Sequence, residues 1–147
     1  MLFRSLQEVA SAFREALSRL DGLSNKPSSW KGILGLERVR DHVDRRFREA
    51  LRIGVLARMA GVSVSTFARA FRRMTGKGLE RYLQDRRMAE ARRLLRTTNL
   101  PVSRIVRDCG FRSDSYFTRF FRKRAGKNPA VYRRESQREG GTNARGT

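Results

Sequence analysis

Apolar residues recur three and four positions apart in two similar stretches of the chain, from about residue 53 to 74 and from about residue 102 to 125. This spacing puts the apolar side chains on one side of a helix and therefore predicts amphipathic helices. In each stretch a glycine, Gly61 or Gly110, separates a short helix from a second helix that carries phenylalanine on its apolar side. A short helix, a turn and a second helix form the helix-turn-helix motif. The pattern predicts an all-α protein with two helix-turn-helix subdomains.

The two units also align with each other as an internal repeat, with one extra residue in the second turn. The aligned pairs are Gly61 and Gly110, Phe67 and Phe117, Arg69 and Arg119, Phe71 and Phe121, Arg72 and Arg122, and Gly76 and Gly126. Because the phenylalanines recur at helical spacing, we interpret them as core and not as a platform on which bases stack. Ser63 is the expected N-cap of the second helix in the first unit, and Ser113 or Asp114 is the expected N-cap of its counterpart.

The segment between the units, residues 79–97, contains no Gly or Pro and is rich in residues that favour helices. It predicts one long linker helix. At about 1.5 Å per residue this helix would span roughly 28 Å. That length is near the ~34 Å between successive major-groove entries on one side of B-DNA. A single chain would then place the second helix of each unit in successive major grooves.

The ends of the chain differ in character from this central region. Residues 2–20 predict an amphipathic helix, whose apolar side would pack on the rest of the domain, on a second copy of the chain or on a sensor domain. Gly, Ser, Asn and Pro then indicate a linker, so residues 1–35 form an arm that precedes a domain over residues 36–134. The last segment, residues 135–147, is polar and glycine-rich, and we expect it to be disordered.

The chain of 147 residues contains 34 Lys and Arg against 14 Asp and Glu, a formal net charge of +20 at pH 7. Such a charge on a small domain attracts polyanions, so nucleic acid is the leading partner. Ribosomal proteins share this composition, and high-GC genomes favour Arg over Lys, so codon usage is an alternative origin for part of the charge. No apolar run has the ~18 residues of a membrane-spanning helix, and the first residues lack the apolar stretch of a signal peptide. We expect no membrane partner and a cytoplasmic, nucleoid-associated location.

No residue pattern for catalysis or metal binding is present. The chain has one cysteine, Cys109, and one histidine, His42, which exclude an internal disulfide and make a zinc site implausible. The phosphate-binding GxxxxGK, the GxSxG and the HExxH patterns are absent. We therefore expect a buried Cys109, no catalytic residue, no metal, no cofactor and no enzymatic activity.

A family resemblance appears in the run IVRDCGFRSDSYFTRFFRKRAGKNPAVYRR, which is similar to the C-terminal signature of AraC/XylS-type transcription regulators. The matching residues are Ile105, Gly110, Phe111, Ser115, Tyr116, Phe117, Arg119, Phe121, Arg122, Gly126, Pro129, Tyr132 and Arg133. The resemblance extends upstream to about Leu36 and leaves the first 35 residues uncovered. It implies a sequence-specific regulator of transcription that binds double-stranded DNA. Because activators are commoner in this family, it also implies an activator. A compatible interpretation is an adaptor that dimerises through residues 2–20 and contacts RNA polymerase.

The resemblance implies which side chains meet DNA. Base-contacting positions of the family fall on Ser65, Ala68 and Arg69 in the first unit, with Arg72 placed for bases or phosphate. In the second unit they fall on Asp114, Ser115, Thr118, Arg119 and Arg122. Arg suits guanine because its guanidinium meets O6 and N7 together. For Arg69 and Arg119, a phosphate clamp or an intramolecular salt bridge remains open.

Two further expectations concern how strongly each helix reads sequence. The remaining basic residues predict a solvated face that touches phosphates: Arg73, Lys77, Lys123, Arg124 and Lys127. Ser65 and Ala68 are small, so the first unit would bind more by shape and charge than by base readout. The rival to a sequence-specific regulator is a structural or RNA-binding protein that uses this charge without reading sequence.

Overall fold

The computed structural model describes residues 29–143, with side chains described from residue 35 to 141, and it is entirely helical in this range. The helices are α1 (Ser29–Arg46), α2 (Ile53–Ala60), α3 (Val64–Thr75), α4 (Leu79–Thr97), α5 (Val102–Asp108), α6 (Asp114–Ala125) and α7 (Pro129–Asn143). The all-α prediction and the two helix-turn-helix motifs, α2–α3 and α5–α6, are confirmed. No helix in the described range is long and apolar enough to cross a membrane.

The first compact unit contains residues 29–46 and 51–83, which include α1, α2, α3 and the start of α4. Its core consists of the buried residues Leu36, Val39, Val43, Leu56, Ala57, Ala60, Phe67, Ala70, Phe71, Met74 and Leu83. The ring of Phe71 meets the edge of Tyr82 at 5.2 Å between centroids. The Tyr82 hydroxyl donates to the Asp44 carboxylate at 2.7 Å, which ties α4 to α1. The predicted inward face of the first motif is thus the core of this unit.

The second compact unit contains residues 47–50 and 84–143, which include the rest of α4 and helices α5 to α7. Its core consists of Met88, Ala91, Leu95, Ile105, Val106, Cys109, Phe111, Phe117 and Phe121. Phe111 meets the edge of Phe117 at 4.8 Å and Tyr132 meets the edge of Phe121 at 5.3 Å between centroids. Edge-to-face contacts of this kind favour one arrangement of the rings over others.

The turns of the two motifs are closed by the residues that the sequence indicates. Ser63 accepts a hydrogen bond from the Thr66 amide at 3.2 Å, and Ser113 accepts one from the Tyr116 amide at 3.1 Å. Of the two candidate caps for α6, Ser113 is therefore the N-cap, and Asp114 is the first residue of the helix. Gly61 and Gly110 adopt φ of 72° and 81°, a left-handed conformation that glycine adopts without a Cβ clash.

Two predicted boundaries are wrong. Helix α1 begins at Ser29, inside the segment interpreted as a linker, and Gly35 lies where an added Cβ would be 2.7 Å from the Ala60 carbonyl oxygen. Helix α7 continues to Asn143, through most of the segment expected to be disordered. Gln137 holds it in place by donating to the Thr98 carbonyl and the Asn99 side chain, each at 3.2 Å. The predicted helix over residues 2–20 lies outside the described residues.

Candidate nucleic-acid interface

Helix α3 buries one side in the first unit and exposes the other. Phe67 and Phe71 are fully buried, and because they lie four residues apart they share one side of the helix. The exposed side carries Val64, Ser65, Ala68, Arg69, Arg72 and Arg73. All four side chains that the sequence assigned to base contact on this helix therefore share one solvent-accessible face.

Helix α6 repeats this arrangement in the second unit. Phe117 and Phe121 are fully buried, and Phe120 is half-buried against the same core. The exposed side carries Asp114, Ser115, Thr118, Arg119, Arg122 and Lys123. In the alignment of the two motifs these residues occupy the positions of Val64, Ser65, Ala68, Arg69, Arg72 and Arg73. The two exposed faces are thus equivalent surfaces on equivalent helices.

The guanidinium groups at the centre of these faces are available for an outside partner. Between residues 35 and 141, no carboxylate lies within ion-pair distance of Arg69 or Arg72, and none lies near Arg119 or Arg122. Over this part of the chain, the intramolecular salt bridge considered for Arg69 and Arg119 is absent. Contact with a base or with a phosphate remains for each of them.

The outer basic residues are less uniform than the sequence predicts. Arg124 is not part of a solvated face, because it donates to Asp85 at 2.6 Å and lies over the Phe120 ring at 5.1 Å from its centroid. Lys127 donates to the Glu135 carboxylate, and this hydrogen bond raises the pKa of Lys127. Lys123 is exposed without an ion pair to any residue from 35 to 141. Arg73 and Lys77 are exposed, and each has an interaction within the chain.

The resemblance assigns no DNA contact to two further exposed side chains on these helices, Val64 and Tyr116. Val64, at the first turn of α3, is 48% exposed although it is apolar. Tyr116, in the first turn of α6, is 38% exposed, stacks on Phe120 at 5.8 Å and accepts a hydrogen bond from the Gln84 amide at 3.1 Å. The sequence contains one signal for Val64, which is that it aligns with Asp114, a position that the resemblance assigns to base contact.

Within the second unit, charged residues hold the segment of residues 47–50 against α4. The Glu90 carboxylate accepts hydrogen bonds from Arg93 at 2.8 Å and from Arg48 at 2.9 Å. The hydrogen bond from Arg93 is the main reason that the pKa of Glu90 lies below its usual range. Arg87 adds hydrogen bonds to the carbonyl oxygens of Phe47 and Glu49, at 2.7 and 2.8 Å. These contacts hold the second unit together without using its exposed face.

The single cysteine and the potential metal ligands of the described residues lie apart from these two faces or in no cluster. Cys109 is fully buried, as expected, and its burial raises the pKa of the thiol to about 12, so the reactive thiolate is disfavoured. Among residues 35–141, no group of three or more His, Cys, Asp and Glu side chains is arranged to hold a metal ion. The exposed faces of α3 and α6, with their arginines, are the candidate site.

Comparison with known proteins agrees with this arrangement of helices. The family described as a helix-turn-helix domain matches residues 56–135, which contain both motifs. The regulatory protein SoxS of Salmonella typhimurium is 35% identical over 98 residues, covering 67% of this chain and 88% of SoxS. The transcriptional activator NphR of a Rhodococcus species is 34% identical over 106 residues. The chain spans 31% of the length of NphR and 35% of that of another relative.

A solved structure extends the likeness to three dimensions. The DNA-binding domain of AdpA, a global transcriptional factor crystallised with a target DNA, superposes with a TM-score of 0.67 at 32% identity. The match covers 71% of this chain and 95% of the AdpA domain. The fold and the two exposed faces thus define a double helix-turn-helix protein. The chain belongs to the AraC/XylS family of DNA-binding transcription regulators.

Proposed function

We propose that this chain regulates transcription by placing α3 and α6 in major grooves of double-stranded DNA, where their exposed faces read base sequence. The observation that carries this proposal is the pair of equivalent exposed faces, each with two arginines that have no ion pair to residues 35–141. The width of the major groove admits a helix, and its base edges differ for all four base pairs. The net charge of +20 supplies the attraction to phosphate that brings the helices there.

Within each face the roles follow from side-chain chemistry. Arg69 and Arg119 would read guanine, because a guanidinium donates to O6 and N7 together. Ser65 and Ser115 would bond to a base edge or to a phosphate, since a hydroxyl both donates and accepts. Arg72 and Arg122 would contact bases or phosphate. Arg73, Lys123 and Lys127 would contact phosphate, with Lys127 contributing less because Glu135 already neutralises it.

We further infer that the chain acts by binding alone, without catalysis, cofactor or metal. Activation is the proposed direction of regulation, since NphR is an activator and the family resemblance favours one. Activation would require contact with RNA polymerase. The apolar side predicted for residues 2–20 would serve a second copy of the chain or a sensor domain, and the protein would reside on the nucleoid.

Selection from a random duplex library followed by titration tests this proposal. The selected duplex should bind about a thousandfold or more tightly than a scrambled duplex at physiological salt, the lower range for specific regulators. A double-stranded RNA of the same sequence should bind as weakly as the scrambled DNA, because the deep, narrow major groove of A-form RNA excludes a helix. Equal affinity for all three ligands would favour the rival interpretation, a structural or RNA-binding protein.

A further inference from the structure

The two exposed faces agree along one side and differ along the other. Serine and arginine occupy equivalent positions, Ser65 with Ser115 and Arg69 with Arg119. A second arginine follows in both helices. The faces differ in one i, i+4 pair at the start of each helix, which is Val64 and Ala68 on α3 and Asp114 and Thr118 on α6. They also differ where Tyr116 aligns with Thr66, whereas Arg73 and Lys123 are both basic. Residues four apart lie together on one side of a helix, so each pair forms a continuous strip beside the shared arginine positions.

These strips have opposite chemistry. Val64 is 48% exposed and Ala68 is exposed beside it, so the strip on α3 presents methyl groups and no hydrogen-bonding side chain. Asp114 and Thr118 are both exposed, and between residues 35 and 141 no Lys or Arg forms an ion pair with Asp114. The strip on α6 therefore presents a carboxylate and a hydroxyl.

The major groove offers one distinctive partner for each strip. The C5 methyl of thymine is the apolar group on its floor, and alanine-sized or larger apolar side chains pack against it. A carboxylate facing DNA is repelled by phosphates unless it meets a hydrogen-bond donor. Cytosine N4 and adenine N6 are the donors in this groove, and Asp suits cytosine because adenine sets the N7 acceptor beside its amine, where it repels a carboxylate.

We propose that these strips make the two half-sites unequal: Val64 and Ala68 select thymine beside the guanine read by Arg69, and Asp114 and Thr118 select cytosine beside the guanine read by Arg119. This inference rests on the proposed function. It adds Val64 to the residues that contact bases, and it assigns a base to each strip. It also revises the view that small side chains leave the first helix with little base readout. A methyl-lined strip reads the methyl of thymine through apolar contact.

Exchanging the strips is the direct test. Selection with the Val64→Asp/Ala68→Thr protein should convert thymine to cytosine in one half-site and leave the other half-site unchanged. Selection with Asp114→Val/Thr118→Ala should produce the reciprocal change in the other half-site. Val55→Asp is the matched control, because Val55 on α2 is also 48% exposed and gains the same charge. It should weaken binding to all sequences without changing the selected bases.

Changes of a single chemical group, in the DNA or in the protein, complement the exchange of the strips. Deoxyuridine at the selected thymine removes only the C5 methyl, and the wild-type protein should lose about fourfold in affinity, the effect of one methyl withdrawn from an apolar contact. Val64→Ala should lose most of this sensitivity. Asp114→Asn should shift the preference in the second half-site from cytosine toward adenine, because an amide pairs with adenine N6 and N7.

The outcomes separate this inference from the function on which it rests. The assignment of the strips would be wrong if both exchange variants selected the same half-sites as the wild type. It would also be wrong if the wild-type protein bound thymine and deoxyuridine equally well. In either case sequence-specific binding would stand. If Asp114 served only to stabilise the first turn of α6, its substitution would lower the melting temperature of the protein and leave the selected base unchanged. A wild-type protein that selects no consensus at all would instead defeat the proposed function.

Discussion

The backbone of Arg48 occupies the space that a side chain at Gly110 would need. An ideal Cβ atom added to Gly110 would meet the Arg48 carbonyl group and would lie 2.9 Å from the Arg48 Cα atom. The same glycine has φ of 81°, so both its conformation and its surroundings require the absence of Cβ. The turn of the second motif is therefore packed directly against residues 47–50, which Arg87 and Glu90 of α4 hold in place.

Gly110→Ala should consequently destabilise the protein by about 3 kcal/mol or more, because left-handed strain adds to a backbone clash. Gly126→Ala is the matched control. Gly126 has a similar φ of 74° but open space where its Cβ would lie, so strain alone should cost about 1 to 2 kcal/mol. Urea unfolding of both variants measures the difference. Equal losses would show that residues 47–50 do not pack against the turn as described.

The sequence predicts most of the helices because their signals are local. Phe67 and Phe71 recur at helical spacing, and serine and glycine stand at the two ends of α3, so its bounds can be read from a short window. The sequence predicts a short helix that Asn128 caps and Pro129 opens, as the structure shows, but the length of α7 could not be predicted this way. Its last turns contain Gly140 and Gly141, and contacts with residues about forty positions away, such as Gln137 with Thr98, hold it in the folded protein.

The candidate site is predictable to a similar degree and for the same reason. Once the phenylalanines fix the buried side of α6, the opposite side must carry Ser115 and Arg119. The pairing of Arg124 with Asp85 joins residues 39 positions apart and leaves no mark in the sequence. The exposure of Val64 was missed because an apolar residue at a helix start is usually assigned to the core.

The Glu90 carboxylate should make the stability of the second unit depend on pH. Its native pKa is lowered by hydrogen bonds from Arg93 and Arg48, so it lies below the unfolded value of about 4.3. The resulting stabilisation is present above pH ~4.3 and is lost as the pH falls through the lowered native pKa. The free energy of unfolding of Glu90→Gln should therefore fall below that of wild type at pH 7, and the gap should shrink in acid. Glu139→Gln, at an exposed position, should show no comparable gap at either pH.

Affinity for DNA should fall steeply with salt. About eight phosphate contacts would give a slope near −7 in a plot of log K against log salt concentration. Titration of the selected duplex by fluorescence anisotropy between about 50 and 200 mM salt measures this slope. A slope shallower than about −3 would mean that most of the excess arginine lies away from DNA.

Removal of residues 1–28 should leave α1 intact, because this helix begins at Ser29. The two motifs already supply two recognition helices, so affinity for one asymmetric site of about 20 base pairs should stay within roughly threefold. Any self-association or cooperative binding to tandem sites should disappear, because an apolar stripe as large as that predicted over residues 2–20 needs a partner. Analytical ultracentrifugation and mobility shifts of both proteins decide this. Loss of single-site binding by a folded, shortened protein would contradict the account.

Arg119 provides the most direct test of the claim that the recognition helices read bases. The measurement compares affinities of wild type, Arg119→Ala and Lys123→Ala for the selected duplex and for each of its single-base-pair variants. Arg119→Ala should lose about 1 to 3 kcal/mol of discrimination at one or two base pairs and keep its preferences elsewhere. Lys123→Ala should weaken binding to every duplex by the same factor, because a phosphate contact carries no base preference. If Arg119→Ala instead lowered all affinities uniformly, as Lys123→Ala does, Arg119 would be a phosphate contact and the assignment of base readout to this face would be wrong.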